Sequence, residues 1–185
     1  MRALRTRARA VLAAALAAGG LLACSGAAVQ APYPAPEFTH REPADWLNSA
    51  PLELAKLRGK VVLVEFWAFE CVNCLNTRAW VESEARTKAG AGLVVIGVHT
   101  PELRDERSPD NVRAAVARLG IHYPVMIDGD YSYWNALGNQ YWPAFYLIGR
   151  DGLVHGRAVG ELHVGDGSAH RVETLIDQLL AAAQP

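Results

Sequence analysis

Cysteine is scarce in this chain: 185 residues hold three, Cys24, Cys71 and Cys74. That scarcity counts against structural zinc, which needs about four ligands, typically two cysteine pairs or one pair with two close histidines. The histidines, His40, His99, His122, His155, His163 and His170, are scattered and offer no close ligand pair, so no metal is expected. Basic clusters are missing too. Of the 18 Lys and Arg, four arginines precede Cys24, which leaves 14 basic residues against 19 acidic and a net of −5 from Cys24 onward. Such a chain lacks the basic footprint that nucleic acid requires, and anionic lipid gains no electrostatic hold on it. Beyond the first 24 residues no segment is apolar enough to span a membrane, which takes roughly 20 residues. Internal repeats are absent.

What is present starts with an export pattern. "MRALRTRARAVLAAALAAGGLLACSG" opens with Arg2, Arg5, Arg7 and Arg9, continues with an uncharged Ala- and Leu-rich stretch over 10–23, and reaches "LLAC". The run is short for a permanent anchor and suits an export signal. It resembles a bacterial lipoprotein signal, whose lipobox sets Leu three residues before an acylated cysteine, and Leu21 and Cys24 fit. On that resemblance residues 1–23 are a signal peptide. Cys24 then carries lipid as the first mature residue, and two or more acyl chains hold the protein stably on a membrane. A plain signal with an incidental cysteine is the alternative. Residues 24–51 hold five prolines among small and polar residues and read as a lipid-anchored tether or loosely ordered lead-in. Residues 52–185 remain for a single domain with a full core.

From Lys60 the pattern becomes regular. "KVVLVEFWAF" (60–69), after Arg58-Gly59, predicts a buried strand. Residues 71 to about 88 place Leu75 and Ala79 at helical spacing, closed by Gly90. "LVVIGVH" (93–99) is a second buried strand. "SPDNVRAAVARLG" (108–120) has a Ser cap, Pro at the first helical position and a terminal Gly, and is a helix. "YPVMID" predicts a short strand and "YSYWNALG" a short helix. "AFYLIGRDGLVHGRAVG" (144–160) is a hairpin turning at Arg150-Asp151-Gly152, and "HRVETLIDQLLAAA" (170–183) a closing amphipathic helix. This order predicts an α/β domain with a mixed sheet flanked by helices, its first two core strands parallel. The site belongs at the tip of the first strand, where Cys71 opens a helix.

"EFWAFECVNCLNTRAW" (65–80) carries the chemistry. Cysteines at i and i+3 in a helix's first turn share a face and are close enough to bridge. Unpaired N–H groups and the helix dipole stabilise a thiolate there, lowering cysteine pKa values from about 8.5 to roughly 3.5–7.5. Cys71 is then the exposed nucleophile, and Cys74, one turn inside, resolves the mixed disulfide. A permanent structural disulfide is the other option, though closing so small a loop adds little stability.

"VVLVEFWAFECVNC" resembles the strand and active-site turn of thioredoxin, and "YWPAFYLIGRDG" resembles the later strand that begins with that fold's cis-proline, here Pro143. From about Lys60 to Leu180 the chain is similar to the exported thioredoxin-like branch of the TlpA and ResA type, which inserts a strand and helix before the cis-proline strand, here about 122–138. "CVNCLNT", "GVHTPE" and "YWPAFYLI" are closer still to the thioredoxin-like domain of DipZ proteins. The resemblance implies a thioredoxin fold and an extracytoplasmic, lipid-anchored thiol–disulfide oxidoreductase whose sole cofactor is its own cysteine pair. It also implies protein thiols and disulfides as substrates and a membrane electron-transfer partner that re-reduces the pair. Glu65 aligns with thioredoxin's buried acid and would take the proton of Cys74, with its pKa raised by burial; strand alternation that points it to solvent is the alternative. Val72-Asn73 stands where thioredoxin has Gly-Pro, so no redox potential carries over. Trp142, where a small or β-branched residue is usual, either borders the substrate groove with Glu70, Val72 and Asn73 or packs into the core. His99 and Trp67 read as packing residues. Glu70 opposes a thiolate at Cys71, and the turn holds no His or Lys to offset it, which points to a reductase. The competing classes are a redox-inert binding domain and a thiol peroxidase, the latter disfavoured because Ala68 stands where peroxidases place Thr or Ser.

Overall fold

The computed structural model describes residues 31–183; the expected signal segment, 1–23, and Cys24 lie outside the described residues. Seven strands form one mixed sheet: β1 (Tyr33–Pro34), β2 (Trp46–Leu47), β3 (Val61–Trp67), β4 (Leu93–His99), β5 (Val125–Ile127), β6 (Ala144–Ile148) and β7 (Leu153–Val159), in the order β1-β7-β6-β3-β4-β5-β2. The centre is β3, all seven of whose residues are buried. A strand buried on both faces reads as a continuous apolar run rather than an alternating one. It runs parallel to β4 and antiparallel to β6, and β4 runs parallel to β5.

Four helices complete the domain: α1 (Val72–Thr87), α2 (Pro109–Leu119), α3 (Ser132–Ala136) and α4 (Gly167–Ala181). Because β3→β4 and β4→β5 step across the sheet in the same direction, right-handed crossovers put α1 and α2 on one face. There, with α4, they cover Val61, Leu63, Trp67, Leu93 and Val95. The opposite face buries Val62, Val64, Phe66, Ile96 and Val98 under α3 and the N-terminal segment. This is the thioredoxin-like fold expected, with β5 and α3 as the inserted strand and helix. Among the described residues no helix is long and apolar enough to cross a membrane.

Three expectations change. Residues 31–51, expected to belong to a tether or loosely ordered lead-in, instead pack on the domain. Phe38 and Trp46 are 1% and 3% exposed, and β1 and β2 pair with β7 and β5. The Glu37 carboxylate accepts the main-chain N–H of Phe38, Leu54 and Ala55, which ties this lead-in to the 3-10 turn Leu54–Leu57. Apolar burial of Phe38 and Trp46 outweighs the flexibility that proline-rich composition implies. Helix α1 buries Cys74, Thr77, Trp80, Val81 and Glu84, while Leu75 is half-buried and Ala79 exposed. Its inner face is partly polar because Thr77 exchanges hydrogen bonds with the main chain of Leu162, and the Trp80 indole N–H donates to Glu173 at 2.8 Å. Helix α4 starts three residues before the expected His170, where the Asp166 side chain caps it by accepting the Ala169 N–H.

Candidate active site

Strand β3 ends at Trp67, and Ala68, Phe69 and Glu70 carry the chain to Cys71, the N-cap of α1. The Cys71 Sγ accepts the Cys74 N–H at 3.2 Å, and the two cysteines form a disulfide with Cα atoms 5.2 Å apart. An N-cap that accepts an orphan helical N–H is positioned for the helix dipole to favour its anion when the pair is reduced. Cys71 retains 7% exposure and Cys74 1%, so the nucleophile candidate is more enclosed than the sequence implies, with the first cysteine still the more accessible. Val72 is 66% exposed, and Glu70 and Asn73 are exposed beside it.

The Trp142–Pro143 peptide is cis, and Pro143 is buried at the start of β6. Trp142 is half-buried. Its indole N–H donates to the Thr100 carbonyl at 3.0 Å, and its ring lies 4.1 Å from that of Trp134. Trp142 therefore packs in part against the core, and its neighbour Tyr141 is 52% exposed.

Glu65 faces the helical side of the sheet, 1% exposed, rather than solvent. Burial pushes its pKa up to about 8, against the opposing pull of a hydrogen bond from Tyr123 and the charge of Arg78. The Tyr123 hydroxyl donates to Glu65 Oε2 at 3.1 Å. Gly97, paired with Glu65 across the sheet, makes that contact sterically feasible. A Cβ there would stand 2.9 Å from Trp67 Nε1 and 3.1 Å from Tyr123 Cε2. Tyr123 and Gly97 went unrecognised in the sequence, although Tyr123 opens the "YPVMID" strand segment.

His99, at the end of β4, is fully buried with no hydrogen-bond partner on either ring nitrogen. It packs against Trp67 and Phe69, and burial holds its pKa down at about 4, so it is a neutral packing group at physiological pH. Glu106, buried at 1% within a charged stretch, was also missed: it accepts the main-chain N–H of Glu70 at 2.7 Å.

One group of metal-ligand type occurs among the described residues, His40, Asp128 and Asp130, with ligand atoms within 4.8 Å of one another. Its carboxylates already accept main-chain bonds, Asp128 from Tyr133 and Trp134 and Asp130 from Ser132. His40 Nε2 lies 3.2 Å from both carboxylates, and the Asp128 hydrogen bond raises the His40 pKa. These contacts join the N-terminal segment to the loop after β5.

Comparison with known proteins extends this picture. The Redoxin family profile matches residues 30–176. Protein DipZ of Mycobacterium bovis is 43% identical over 143 residues, 76% of this chain but only 20% of that protein, so the chain spans about a fifth of the length of this relative. Thiol-disulfide oxidoreductase YkuV of Bacillus subtilis is 26% identical over 151 residues, covering 82% of this chain and 97% of that one. A crystal structure of a thioredoxin-like superfamily protein superposes with a TM-score of 0.70 at 26% identity, covering 82% of this chain and 99% of the other.

Proposed function

The chain belongs to the Redoxin family, and we propose that it is a thioredoxin-like thiol–disulfide oxidoreductase, a lipid-anchored reductase of protein disulfides outside the cytoplasm. The observation that carries the redox role is the Cys71–Cys74 disulfide at the N-terminus of α1. In the reduced enzyme, Cys71 thiolate attacks a substrate disulfide, forms a mixed disulfide and expels one substrate thiolate. Cys74 then loses its proton and attacks Cys71 Sγ, which releases the second substrate thiolate and leaves the pair oxidised by two electrons. A membrane dithiol partner returns those electrons by the reverse exchange.

Glu65 is the proton exchanger for Cys74. A carboxyl held at about 8 divides between both forms across pH 7–9, so it takes a proton as Cys74 attacks and gives it back when the disulfide is reopened. Substrate approaches over Val72, Asn73, Glu70, Trp142 and Pro143. Exposed Glu70 next to Cys71, with no His or Lys in the turn, weakens the thiolate and favours the reducing direction. "LLAC" at 21–24 supports anchoring through Cys24.

Insulin reduction driven by dithiothreitol, run beside peroxide consumption, tests the assignment. Turnover of insulin and none of peroxide is expected, and Cys71→Ser should abolish it. Cys74→Ser should trap substrate proteins as mixed disulfides. A glutathione potential as oxidising as about −120 mV, that of a dedicated oxidase, would sink the reductase direction. Cys24→Ala should release the protein from membranes or leave it unprocessed; normal processing and membrane retention would refute the anchor.

A further inference from the structure

Glu106 sits in the 3-10 turn Asp105–Arg107, in the charged string Arg104-Asp105-Glu106-Arg107, yet it is 1% exposed. Its Oε1 accepts the Glu70 N–H at 2.7 Å, and its Oε2 accepts those of Glu102 at 2.7 Å and Leu103 at 2.8 Å. All three donors are main-chain groups outside any helix or strand. Glu70 immediately precedes Cys71, so a buried carboxylate grips the peptide that leads into the nucleophile. Its field also reaches His99, which it pulls upward against the effect of burial, and His99 in turn stacks on Phe69, two residues before Cys71.

We propose that Glu106 is a positioning residue for the thiol–disulfide chemistry, fixing the Glu70–Cys71 peptide and setting the redox potential of the cysteine pair through its buried charge. The proposal rests on the functional reading above. Charge-assisted bonds to three main-chain donors order a segment that has no ladder or helix of its own. A negative charge held in a water-poor interior beside the nucleophile's own peptide opposes the Cys71 thiolate and hence the reduced form. A couple whose reduced form is less stabilised is more reducing. Glu70 acts in the same direction from an exposed position, where solvent screens it. Of the two acids flanking Cys71, the buried one has the stronger hold.

Glutathione titration and the pH dependence of thiolate absorbance, on wild type, Glu106→Gln, Glu106→Asp and Glu102→Gln, test this. Glu106→Gln should move the glutathione equilibrium about tenfold toward a more oxidising couple, which is about 30 mV, and lower the pH midpoint of the Cys71 thiolate. Glu106→Asp keeps the charge and loses reach, so it should stay within about threefold of wild type while melting earlier. Glu102→Gln removes an exposed charge and should change neither quantity. A Glu106→Gln protein with the wild-type equilibrium and titration overturns the proposal, as does a Glu102→Gln shift of equal size. Amide exchange on wild type needs no variant: the Glu70, Glu102 and Leu103 amides should be protected at least about a hundredfold over free peptide, and exchange at the free rate overturns the proposal. Failure of wild type to reduce insulin would instead sink the functional reading, and the four potentials would still decide the role of Glu106.

Discussion

The two faces of the sheet each bury a carboxylate, and they treat it in opposite ways. On the face under α1, α2 and α4, Glu65 has one hydrogen-bond partner, Tyr123, and its pKa is pushed up to about 8. Just past the C-terminal end of β5, on the side covered by α3, Asp128 is 0% exposed and accepts from Thr100, Tyr133 and Trp134 with His40 at 3.2 Å. Burial disfavours a charge until donors replace the lost water. Asp128 has those donors and is an anchor; Glu65 lacks them and is left able to exchange a proton near neutral pH. Partner count, more than depth, distinguishes the two sites.

The largest effect should come from emptying the well-partnered site. Asp128→Ala leaves several buried donors unpaired and should cost about 3–5 kcal/mol, read as a lower denaturant midpoint, while the glutathione equilibrium moves less than about twofold. A large redox shift would break the contrast between the two acids. Next is Glu65→Gln, which should slow resolution of the mixed disulfide by roughly tenfold to a hundredfold near neutral pH and leave the first attack by Cys71 intact. The same variant sharpens the comparison through stability. The Glu65 pKa is raised in the folded state, so its contribution is fully present below the unfolded value near 4.5 and is lost as pH rises to about 8. Wild type should weaken over that window by up to about 1.4 kcal/mol per pH unit from this group, and the slope should be smaller in Glu65→Gln.

A smaller change is expected from Gly97→Ala. The added methyl crowds Trp67 and Tyr123 and should destabilise by about 1–3 kcal/mol. By loosening the Tyr123 bond, which holds the Glu65 pKa down, it should also move the pH midpoint of resolution upward. Smallest is His40→Gln. The raised His40 pKa means its ion pairs stabilise below the unfolded value near 6.5 and fade as pH rises through the folded one. Partly exposed pairs contribute about 0–1 kcal/mol, so the variant should lose no more than a few degrees of melting temperature at pH 6 and less at pH 9.

The same contrast governs what the sequence could disclose. Core strands β3, β4 and β6, the hairpin into β7, α2 with its Ser108 cap, and the cysteine turn were legible, because apolar runs and turn residues encode them locally. Glu65 was legible as a buried acid only through its resemblance to thioredoxin, since alternation alone left its side undecided. Glu106 was hidden: surrounded by Arg104, Asp105 and Arg107 it reads as a solvated charge, and its donors Glu70 and Glu102 meet only in the folded chain. Tyr123 and Gly97 act across strands, at a register that composition does not reveal. Strands β1 and β2 are two residues each, too short for any period to show, and the prolines around them disguise an ordered segment as a linker.

Those two short strands occupy the outermost positions at opposite margins of the sheet, β1 beside β7 and β2 beside β5. One stretch of chain, from Tyr33 to Leu47, therefore seals both borders where another molecule's backbone could dock. Long open borders invite strand-to-strand aggregation, and very short terminal strands with proline are a known deterrent; Pro34 lies in one of them. Detaching this stretch would bare β7 and β5 together, so protection against self-assembly at the two margins is a shared property, gained or lost as one.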